Sequence, residues 1–284
     1  MDYACEFRLY VFYVVNWKIN MVRYRISVVI GIYNCASTLE EALDSLYAQT
    51  FQDFKIIMCD DGSTDNTYQI AEKYAKKHSN IVLIKNEQNR GLNYTLNHCL
   101  EFVDTEYVAR MDGDDISLPT RFEKEIDFLD AHPDVAIVSC PMIYFDENGD
   151  YKYGKIPASY PQKFDFIHST PFCHAPCMVR SIAYKTVKGY SVSKNLIRVE
   201  DYHLWFKMYA AGYKGHNLSE HLYKMRDDQN AVTRRSFRNR INEVYVKLIG
   251  YKMLNLPLYY YIFALRPILV WLLPRPIYNY LHKK

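Results

Sequence analysis

The segment Asp112-Gly113-Asp114-Asp115 places three carboxylates too close together for their charges to be independent. Carboxylates packed this closely repel one another, and a divalent cation among them relieves the repulsion. A hard cation such as Mg²⁺ or Mn²⁺, held by one or two carboxylates and by phosphate oxygens, is a common way to bind a nucleoside diphosphate. The segment therefore indicates a metal-assisted phosphate site. A solvated acidic turn before Pro119 is the alternative.

Two other polar segments carry side chains suited to a nucleotide. Asp60-Asp61-Gly62-Ser63-Thr64-Asp65 offers a carboxylate that can accept a hydrogen bond from a base N–H. Its last residues can also cap a following helix, which is the simpler interpretation. Tyr33-Asn34 offers a ring that can lie against a base, although a half-buried Tyr in an ordinary turn explains it equally.

The elements that must position these segments alternate between two sequence periods. Short apolar or β-branched runs predict strands at residues 26–30, 54–59, 81–84, 106–111 and 135–140. Apolar residues at helical spacing predict helices after Ser37, at residues 67–77 and 92–103, and after Thr120. Ser37-Thr38-Leu39-Glu40 and Thr120-x-x-Glu123 have the pattern of capping boxes.

This alternation predicts an α/β fold with an open, doubly wound and mainly parallel sheet and helices on both faces. In such sheets ligands bind beyond the carboxyl ends of the strands. The three polar segments follow the first, second and fourth predicted strands, so we expect them to meet at one edge. Further along, helices are predicted at residues 200–211 and 239–252, and a turn-rich stretch at 149–161 separates the two halves.

The composition excludes some classes of protein. The chain of 284 residues has 35 basic and 32 acidic residues, a balance that argues against general nucleic-acid binding. Its seven cysteines are odd in number and scattered, which predicts buried free thiols in a reducing compartment. Cys173-His174-x-x-Cys177 offers three zinc ligands without a fourth nearby, so zinc is the less favoured interpretation. A single glycine, Gly31, follows the first predicted strand, which argues against a dinucleotide-binding oxidoreductase.

In their order and context, the segments 28–34, 60–65 and 112–115 closely resemble the family 2 glycosyltransferases of the GT-A fold. Residues 46–51, Asn89-Arg90-Gly91, Asn97 and Arg198-Val199-Glu200-Asp201 are similar to that family as well. The resemblance extends over about residues 25–230. It implies an inverting transferase that moves one sugar from a nucleotide sugar to an acceptor hydroxyl.

The resemblance also implies a donor site. Tyr33 would stack on the base beside Ile32, and Asp61 would hold the imide edge of the base, which points to uridine. Arg90 would help to bind the phosphates.

Further roles concern the metal and the acceptor. Asp112 and Asp114 would form the Asp-x-Asp motif, with Asp114 on Mg²⁺ or Mn²⁺ and Asp112 directed toward the ribose or the metal. Asp201 would be the catalytic base, and Glu200 and His174 would lie on the acceptor side.

In one position the chain departs from the family pattern. Many relatives carry Arg-x-His after the acceptor part, where the His reaches the diphosphate or the metal. Here Arg226 is present, but Asp228 stands where the His is expected. Metal ligation from this loop is therefore in doubt, and His174 or His221 is the candidate substitute. A structural hydrogen bond is the more common role of a lone His.

The C-terminal part is apolar and interrupted. Residues 256–273 are almost entirely apolar or aromatic but contain Pro257, Arg266 and Pro267, which argues against a spanning helix. We expect the tail to lie in the membrane interface, with Arg275, Lys283 and Lys284 facing anionic lipid. Packing on the protein's own core is the alternative. The basic cluster Arg234, Arg235, Arg238 and Arg240 would face lipid phosphates or a pyrophosphate-linked acceptor, or else form a solvated helix face.

These observations together predict four parts: an N-terminal extension (1–21), a nucleotide-sugar-binding half (22–150), an acceptor-binding half (151–235) and a helical, membrane-interfacial tail (236–284). The expected function is transfer of a single sugar to a lipid-linked saccharide in cell-surface polysaccharide assembly. The expected place is the cytoplasmic face of the inner membrane, with peripheral attachment and no nucleic-acid partner. A non-catalytic, membrane-associated scaffold on the same fold is the rival.

Overall fold

A computed structural model describes residues 24–227 and 236–272 of the chain. The predicted N-terminal extension up to residue 21 lies outside these ranges. So do Asp228, Arg234, Arg235 and the three cations Arg275, Lys283 and Lys284.

The described strands form two sheets. Their bounds are β1 Ile26–Ile32, β2 Phe54–Asp60, β3 Ile81–Lys85, β4 Tyr107–Arg110, β5 Ile116–Ser117, β6 Val135–Ser139, β7 Met142–Asp146, β8 Gly149–Tyr153, β9 Met178–Arg180, β10 Lys214–Asn217 and β11 Tyr223–Arg226. The larger sheet has seven strands in the order β10-β6-β9-β4-β1-β2-β3, and the smaller has four in the order β5-β11-β7-β8.

The larger sheet is parallel except at β9, which pairs antiparallel with both β4 and β6. The register of β1 with β2 runs from Ile26 beside Phe54 to Ile32 beside Asp60. The two strands therefore end side by side, and the polar residues that follow them leave the sheet at the same edge. The predicted mainly parallel α/β fold is confirmed.

Helices cover both faces of this sheet. The described α-helices are α1 Leu39–Tyr47, α2 Thr67–Lys77, α3 Leu92–Leu100, α4 Arg121–Ala131, α5 Ser181–Val187, α6 Glu200–Ala210, α7 Phe237–Met253 and α8 Arg266–Leu272. Shorter 3-10 helices lie at Asp165–Ile167, Lys194–Leu196 and Leu258–Leu265.

Strand residues alternate between two buried clusters because successive side chains point to opposite faces. Val28 and Ile30 belong to the cluster that contains the apolar residues of α1, α2 and α4. Val29 and Ile57 belong to the cluster that contains those of α3, α5 and α6. The sheet is thus covered on both sides, as the sequence predicts.

The two predicted capping boxes are wrong. The helix α1 begins at Leu39, and the preceding Thr38 makes no capping hydrogen bond. The Thr38 hydroxyl donates instead to the carbonyl oxygens of Cys35 and Gly113. At α4, Thr120 makes no side-chain capping bond either, and Glu123 accepts a hydrogen bond from Thr50 Oγ1 at 2.7 Å. The helix α1 thus begins one residue later than the Ser37 box requires, and at α4 a tertiary contact takes the Glu123 carboxylate that the local pattern assigns to the cap.

The second half of the chain contributes to the same sheet. Strands β9 and β10 come from the predicted acceptor half, and they pair with strands of the nucleotide half. Within residues 24–227 and 236–272, no helix is both long and apolar enough to cross a bilayer.

Candidate active site

Hydrogen bonds join the loop after β1 to the loop after β2. The Asn34 backbone N–H donates to Ser63 Oγ at 3.1 Å, and Asn34 Oδ1 accepts from the Thr64 backbone N–H at 2.9 Å. Asn34 has a left-handed backbone with φ of 48°, which asparagine tolerates better than most residues. These bonds hold Tyr33 at the sheet edge with 47% of its surface exposed.

The loop after β4 packs directly on the loop after β1, and Gly113 permits this contact. A Cβ atom at Gly113 would lie 2.9 Å from Cys35 Sγ and 3.1 Å from Ile32 Cγ2, so a side chain there would force a neighbour to move. The Gly113 carbonyl also accepts the Thr38 hydroxyl at 3.1 Å. The three polar segments therefore meet at one edge of the sheet, as expected from their positions after the strands.

A pocket of about 570 Å³ opens at this edge. It is lined by Gly31, Ile32, Tyr33, Asp61, Asn89, Arg90, Gly91, Leu92, Asn93, Thr95, Val192, Ser193, Lys194, Ile197, Arg198 and Glu200. Five of the residues predicted to bind donor or acceptor are among them: Ile32, Tyr33, Asp61, Arg90 and Glu200. The predicted residues Asp112, Asp114, Asp201 and His174 are not part of this lining.

Asp61 is held in a fixed orientation by the chain around it. It is 4% exposed, and its Oδ1 accepts from Asn86 Nδ2 and from the Arg90 backbone N–H, both at 2.8 Å. Its Oδ2 accepts the Gly91 N–H at 2.8 Å. A carboxylate has about four acceptor positions, so one position on Oδ2 remains open to a ligand donor. The Arg90 guanidinium lies over the Tyr94 ring, 4.5 Å from its centroid.

Three carboxylates, those of Asp112, Asp114 and Asp115, offer oxygen atoms that all lie within 4.8 Å of one another. In the described part of the chain, no other group of three or more His, Cys, Asp or Glu side chains is placed to hold one ion. Partial desolvation and the Asp112 charge raise the pKa of Asp114. A divalent cation would remove this repulsion, so the three acids fit a hard metal ion.

The three acids differ in what else they bind. Asp115 is buried, and its oxygens accept the Tyr223 hydroxyl at 2.9 Å and the Arg226 backbone N–H at 2.8 Å. Burial and the two neighbouring carboxylates raise the pKa of Asp115 well above its ordinary value. Asp114 is exposed, and its carboxylate accepts no hydrogen bond from another described side chain. Asp115 thus fixes the turn, whereas Asp114 is free to bind a ligand.

Arg110 is a site residue that the sequence analysis missed. It ends β4, is 4% exposed, and its guanidinium pairs with Asp112 Oδ1. The sequence contains one signal for it: a charged residue closes an otherwise apolar buried strand two positions before the acidic segment. A buried cation requires an acidic partner. Arg110 therefore occupies one oxygen of Asp112 and orients that carboxylate.

Asp201 lies in the first turn of α6, beside Glu200. Burial, supported by the Glu200 charge, raises the pKa of Asp201 to about 7, while the Tyr202 N–H and the Arg110 guanidinium act in the opposite direction. Burial also raises the pKa of Glu200. A carboxyl group with a pKa near neutrality suits a general base.

His174 and its neighbouring cysteines do not form a metal site. His174 Nε2 lies 2.8 Å from the Tyr190 hydroxyl, and burial together with the Arg110 charge lowers its pKa well below the ordinary value. Cys173 and Cys177 are free thiols, and these three residues do not converge on one ion position. All six cysteines of the described residues are free, as predicted, and the zinc interpretation is not supported.

The family's Arg position, Arg226, lies against the acidic segment. Its Nε donates to the Asp114 carbonyl oxygen at 3.0 Å, its guanidinium pairs with Glu41, and it stacks on the Phe145 ring. His221 Nε2 donates to the Gly154 carbonyl oxygen at 2.9 Å, so this nitrogen is occupied. Arg226 therefore braces the loop of Asp114 through the backbone.

Two solved structures resemble the fold of this chain. The S. aureus TarS fragment 1–349, solved in complex with UDP-GlcNAc, superposes with a TM-score of 0.64 at 20% identity, covering 81% of this chain and 70% of that one. The mannosyltransferase PcManGT of Pyrobaculum calidifontis, solved with GDP-Man and Mn²⁺, gives 0.62 at 18% identity, covering 97% and 86%. At these identities the likeness shows the fold, which is of GT-A type.

Sequence comparison shows the family. Residues 27–187 match the family described as Glycosyl transferase family 2. The putative glycosyltransferase EpsE of Bacillus subtilis is 41% identical over 92% of this chain and 94% of its own length. WfaP of Escherichia coli, named as a UDP-Glc:alpha-D-GlcNAc-diphosphoundecaprenol beta-1,3-glucosyltransferase, is 28% identical over 80% of this chain and 87% of its own length. The chain belongs to glycosyl transferase family 2, and it is a glycosyltransferase.

Proposed function

We propose that this glycosyltransferase moves one sugar, with inversion, from a UDP-sugar to a hydroxyl of a lipid-linked saccharide. The proposed setting is cell-surface polysaccharide assembly at the cytoplasmic face of a bacterial inner membrane. The observation that carries the proposal is the convergence of Asp112, Asp114 and Asp115 at the sheet edge that also bears the Tyr33 and Asp61 pocket. A base pocket and an adjoining cation site are what a nucleoside diphosphate requires.

The pocket would bind the nucleobase of the donor. The Tyr33 ring is exposed and available for stacking, and the open acceptor position on Asp61 suits an imide N–H. Uracil presents one such N–H between two carbonyl groups. WfaP is named for a UDP-sugar donor, and TarS was solved with UDP-GlcNAc. Both names support uridine in this chain.

The acidic segment 112–115 would bind a divalent metal ion. Asp114, with Asp112 beside it, would hold Mg²⁺ or Mn²⁺, because Asp115 is already occupied by Tyr223 and Arg226. A bound divalent cation would neutralise the charge that develops on the leaving diphosphate. The presence of Mn²⁺ in the PcManGT complex supports a metal in a protein of this fold.

Asp201 would act as the catalytic base. A carboxylate with a pKa near 7 can take the proton from the acceptor hydroxyl as its oxygen bonds to C1 of the donor sugar. The C1–O bond to the diphosphate breaks at the same time, and its electron pair leaves with the nucleotide. One displacement inverts C1, so an α-linked donor gives a β-linked product. The β-1,3 linkage in the name of WfaP agrees with this outcome.

The proposal is tested by incubating the full chain with a panel of UDP- and GDP-sugars, with Mn²⁺ or with EDTA. We expect a UDP-sugar to be hydrolysed slowly and to raise the melting temperature only when Mn²⁺ is present. The anomeric configuration of the released or transferred sugar is read by NMR in the first minutes. A retained configuration, or protection by GDP-sugars alone, contradicts the proposal.

A further inference from the structure

Two cations lie on one wall of the pocket. Lys194 and Arg198 line the pocket, and both are exposed. Within residues 24–227 and 236–272, neither makes an ion pair. Arg198 has a left-handed backbone with φ of 68°, which is uncommon for residues other than glycine and asparagine. The Glu200 carboxylate lies near Arg198 without forming an ion pair with it, so the two cations leave positive charge on this wall that suits an anionic ligand.

Helix α7 fixes this wall and adds a third cation to it. Asn242 is 1% exposed, and its Nδ2 donates to the carbonyl oxygen of Ile197 at 3.1 Å. Four residues earlier on the same helix, Arg238 Nη2 donates to Asn195 Oδ1 at 3.0 Å. Arg238 is exposed as well. Three cations therefore lie along the segment that connects the pocket with α7.

An apolar stripe runs along α7 from this point. Phe237, Ile241, Tyr245 and Leu248 follow one another at helical spacing, with 43%, 40%, 39% and 38% of their surfaces exposed. The Phe237 ring lies 4.6 Å from the Trp271 ring of α8. The neighbouring residues Leu258, Ile262 and Leu269 are exposed by 82%, 69% and 61%. An apolar surface of this extent marks an interaction site.

We infer that Lys194, Arg198 and Arg238 bind the diphosphate of a polyprenyl-diphosphate-linked acceptor, and that the apolar stripe of α7 receives its hydrocarbon chain. We call the three cations and the four stripe residues together the acceptor surface. Its members are Lys194, Arg198, Phe237, Arg238, Ile241, Tyr245 and Leu248. The inference rests on the proposed function, since it names the acceptor of the same site.

Charge and continuity support this occupant. The reaction brings together two diphosphates, that of the nucleotide sugar and that of the lipid-linked acceptor. A cation held by Asp112 and Asp114 would bind the diphosphate of the nucleotide sugar. The cations Lys194, Arg198 and Arg238 match a second diphosphate. Glu200 lines the same pocket as Lys194 and Arg198, and it adjoins Asp201 in α6. A sugar attached to a diphosphate on this wall would therefore reach the catalytic base, while its lipid would extend along α7.

The test is flotation of the full chain with three kinds of phosphatidylcholine vesicle. One carries undecaprenyl diphosphate, one carries undecaprenol, and one carries phosphatidylglycerol at the same surface charge as the first. We expect the vesicles with undecaprenyl diphosphate to be bound at least roughly tenfold more tightly than either other kind, because charge-assisted hydrogen bonds to a diphosphate require its defined geometry. Equal binding to the phosphatidylglycerol vesicles, or no binding to any vesicle, overturns the inference.

Two double variants separate the parts of the acceptor surface. In Lys194→Ala/Arg198→Ala, the preference for the diphosphate is expected to fall roughly tenfold or more. In Ile241→Ser/Leu248→Ser, binding to the undecaprenol and undecaprenyl diphosphate vesicles is expected to weaken alike. The matched control, Lys73→Ala/Lys77→Ala, removes two exposed cations from α2 on the opposite face of the sheet and is expected to bind as the parent does.

Calorimetry with UDP and Mn²⁺ on the same variants distinguishes the two diphosphates. Unchanged UDP affinity in Lys194→Ala/Arg198→Ala agrees with an acceptor role. A tenfold loss of UDP affinity assigns these cations to the donor and overturns the inference. If the parent protein itself binds no UDP, the proposed function fails, whereas the vesicle preference is still read independently.

Discussion

Asp201 and Asp114 are both carboxylates of one site, but their surroundings give them different tasks. Asp201 is half-buried near Arg110 with its pKa raised to about 7, whereas Asp114 is exposed next to two other acids. For Asp201→Asn we expect transfer to fall by roughly 10²–10⁴-fold, because the variant cannot accept a proton. The affinity for UDP with Mn²⁺, measured by calorimetry, should stay within about twofold. Transfer at the parent rate would show that Asp201 is not the base.

The pH dependence of transfer follows from the same carboxyl. Asp201 is protonated below its pKa and inactive as a base, so kcat/KM should rise tenfold per pH unit up to about pH 7 and then level off. Glu200 raises that pKa, and Arg110 lowers it. Glu200→Gln should therefore move the midpoint of the profile to lower pH. A midpoint that stays in place or moves upward in this variant contradicts the assignment, whereas Cys173→Ala serves as a control that keeps both carboxylates.

Neighbouring acids of the metal segment should respond differently to substitution. Asp114→Asn is expected to weaken Mn²⁺-dependent UDP binding by at least roughly tenfold with little change in the free energy of unfolding, since Asp114 is exposed. Asp115→Ala leaves the Tyr223 hydroxyl and the Arg226 N–H without their acceptor, so the free energy of unfolding should fall by about 1–3 kcal/mol. Urea titrations measure this loss. The reverse pattern would assign the ligand role to Asp115.

At this scale the sequence predicts which polar segments meet at the sheet edge better than it predicts the residues that orient their side chains. Tyr33, Asp61 and the acidic segment follow strands, so the rule for open parallel sheets places them at one edge. Arg110 and the bonds from Asn86 to Asp61 depend on which chain segments meet in three dimensions. No local spacing encodes those meetings. The assignment of Asp112, Asp114 and Asp201 to their chemical roles stays a prediction until the variants are measured.

Among the elements, the loops after β1 and β4 pack against each other at Gly113, because this residue has no side chain. In Gly113→Ala the new Cβ would lie 2.9 Å from Cys35 Sγ, so we expect the protein to lose about 1–3 kcal/mol in its free energy of unfolding and to bind UDP more weakly. Cys35→Ala removes the sulfur atom, so the double variant should recover part of the loss. A double-mutant cycle with no coupling between the two positions contradicts this packing.

Element prediction succeeds where a segment is long and periodic. The helix expected at residues 67–77 is observed as Thr67–Lys77, and the strands β1 to β4 lie within two residues of their predicted bounds. The strand β9 has three residues, Met178–Arg180, and its antiparallel insertion between β4 and β6 has no periodic signature. The capping boxes failed because α1 begins one residue later than the Ser37 box requires, and because Glu123 binds the distant Thr50. At these helix starts, the tertiary structure overrides the local capping pattern.

At the scale of the whole molecule, the site depends on chain segments that are far apart in sequence. The small sheet pairs β5 with β11 and β11 with β7, which brings Arg226 and Tyr223 to the acidic segment. The strands of this second half are not predicted from the sequence, because short and exposed strands such as β8 show little alternation. Since β9 and β10 complete the larger sheet, we expect one cooperative unfolding transition for the nucleotide and acceptor halves. Calorimetric scanning that resolves two transitions would contradict this expectation.

The central claim is that the clustered acids share a cation with the diphosphate of the donor. The most direct measurement is isothermal calorimetry of UDP with the parent protein and with Asp114→Asn, each in Mn²⁺ and in EDTA. The account predicts UDP binding by the parent protein in Mn²⁺, and binding at least roughly tenfold weaker in the other three titrations. Equal UDP affinity for the parent protein in Mn²⁺ and in EDTA, or no binding in either, would contradict it.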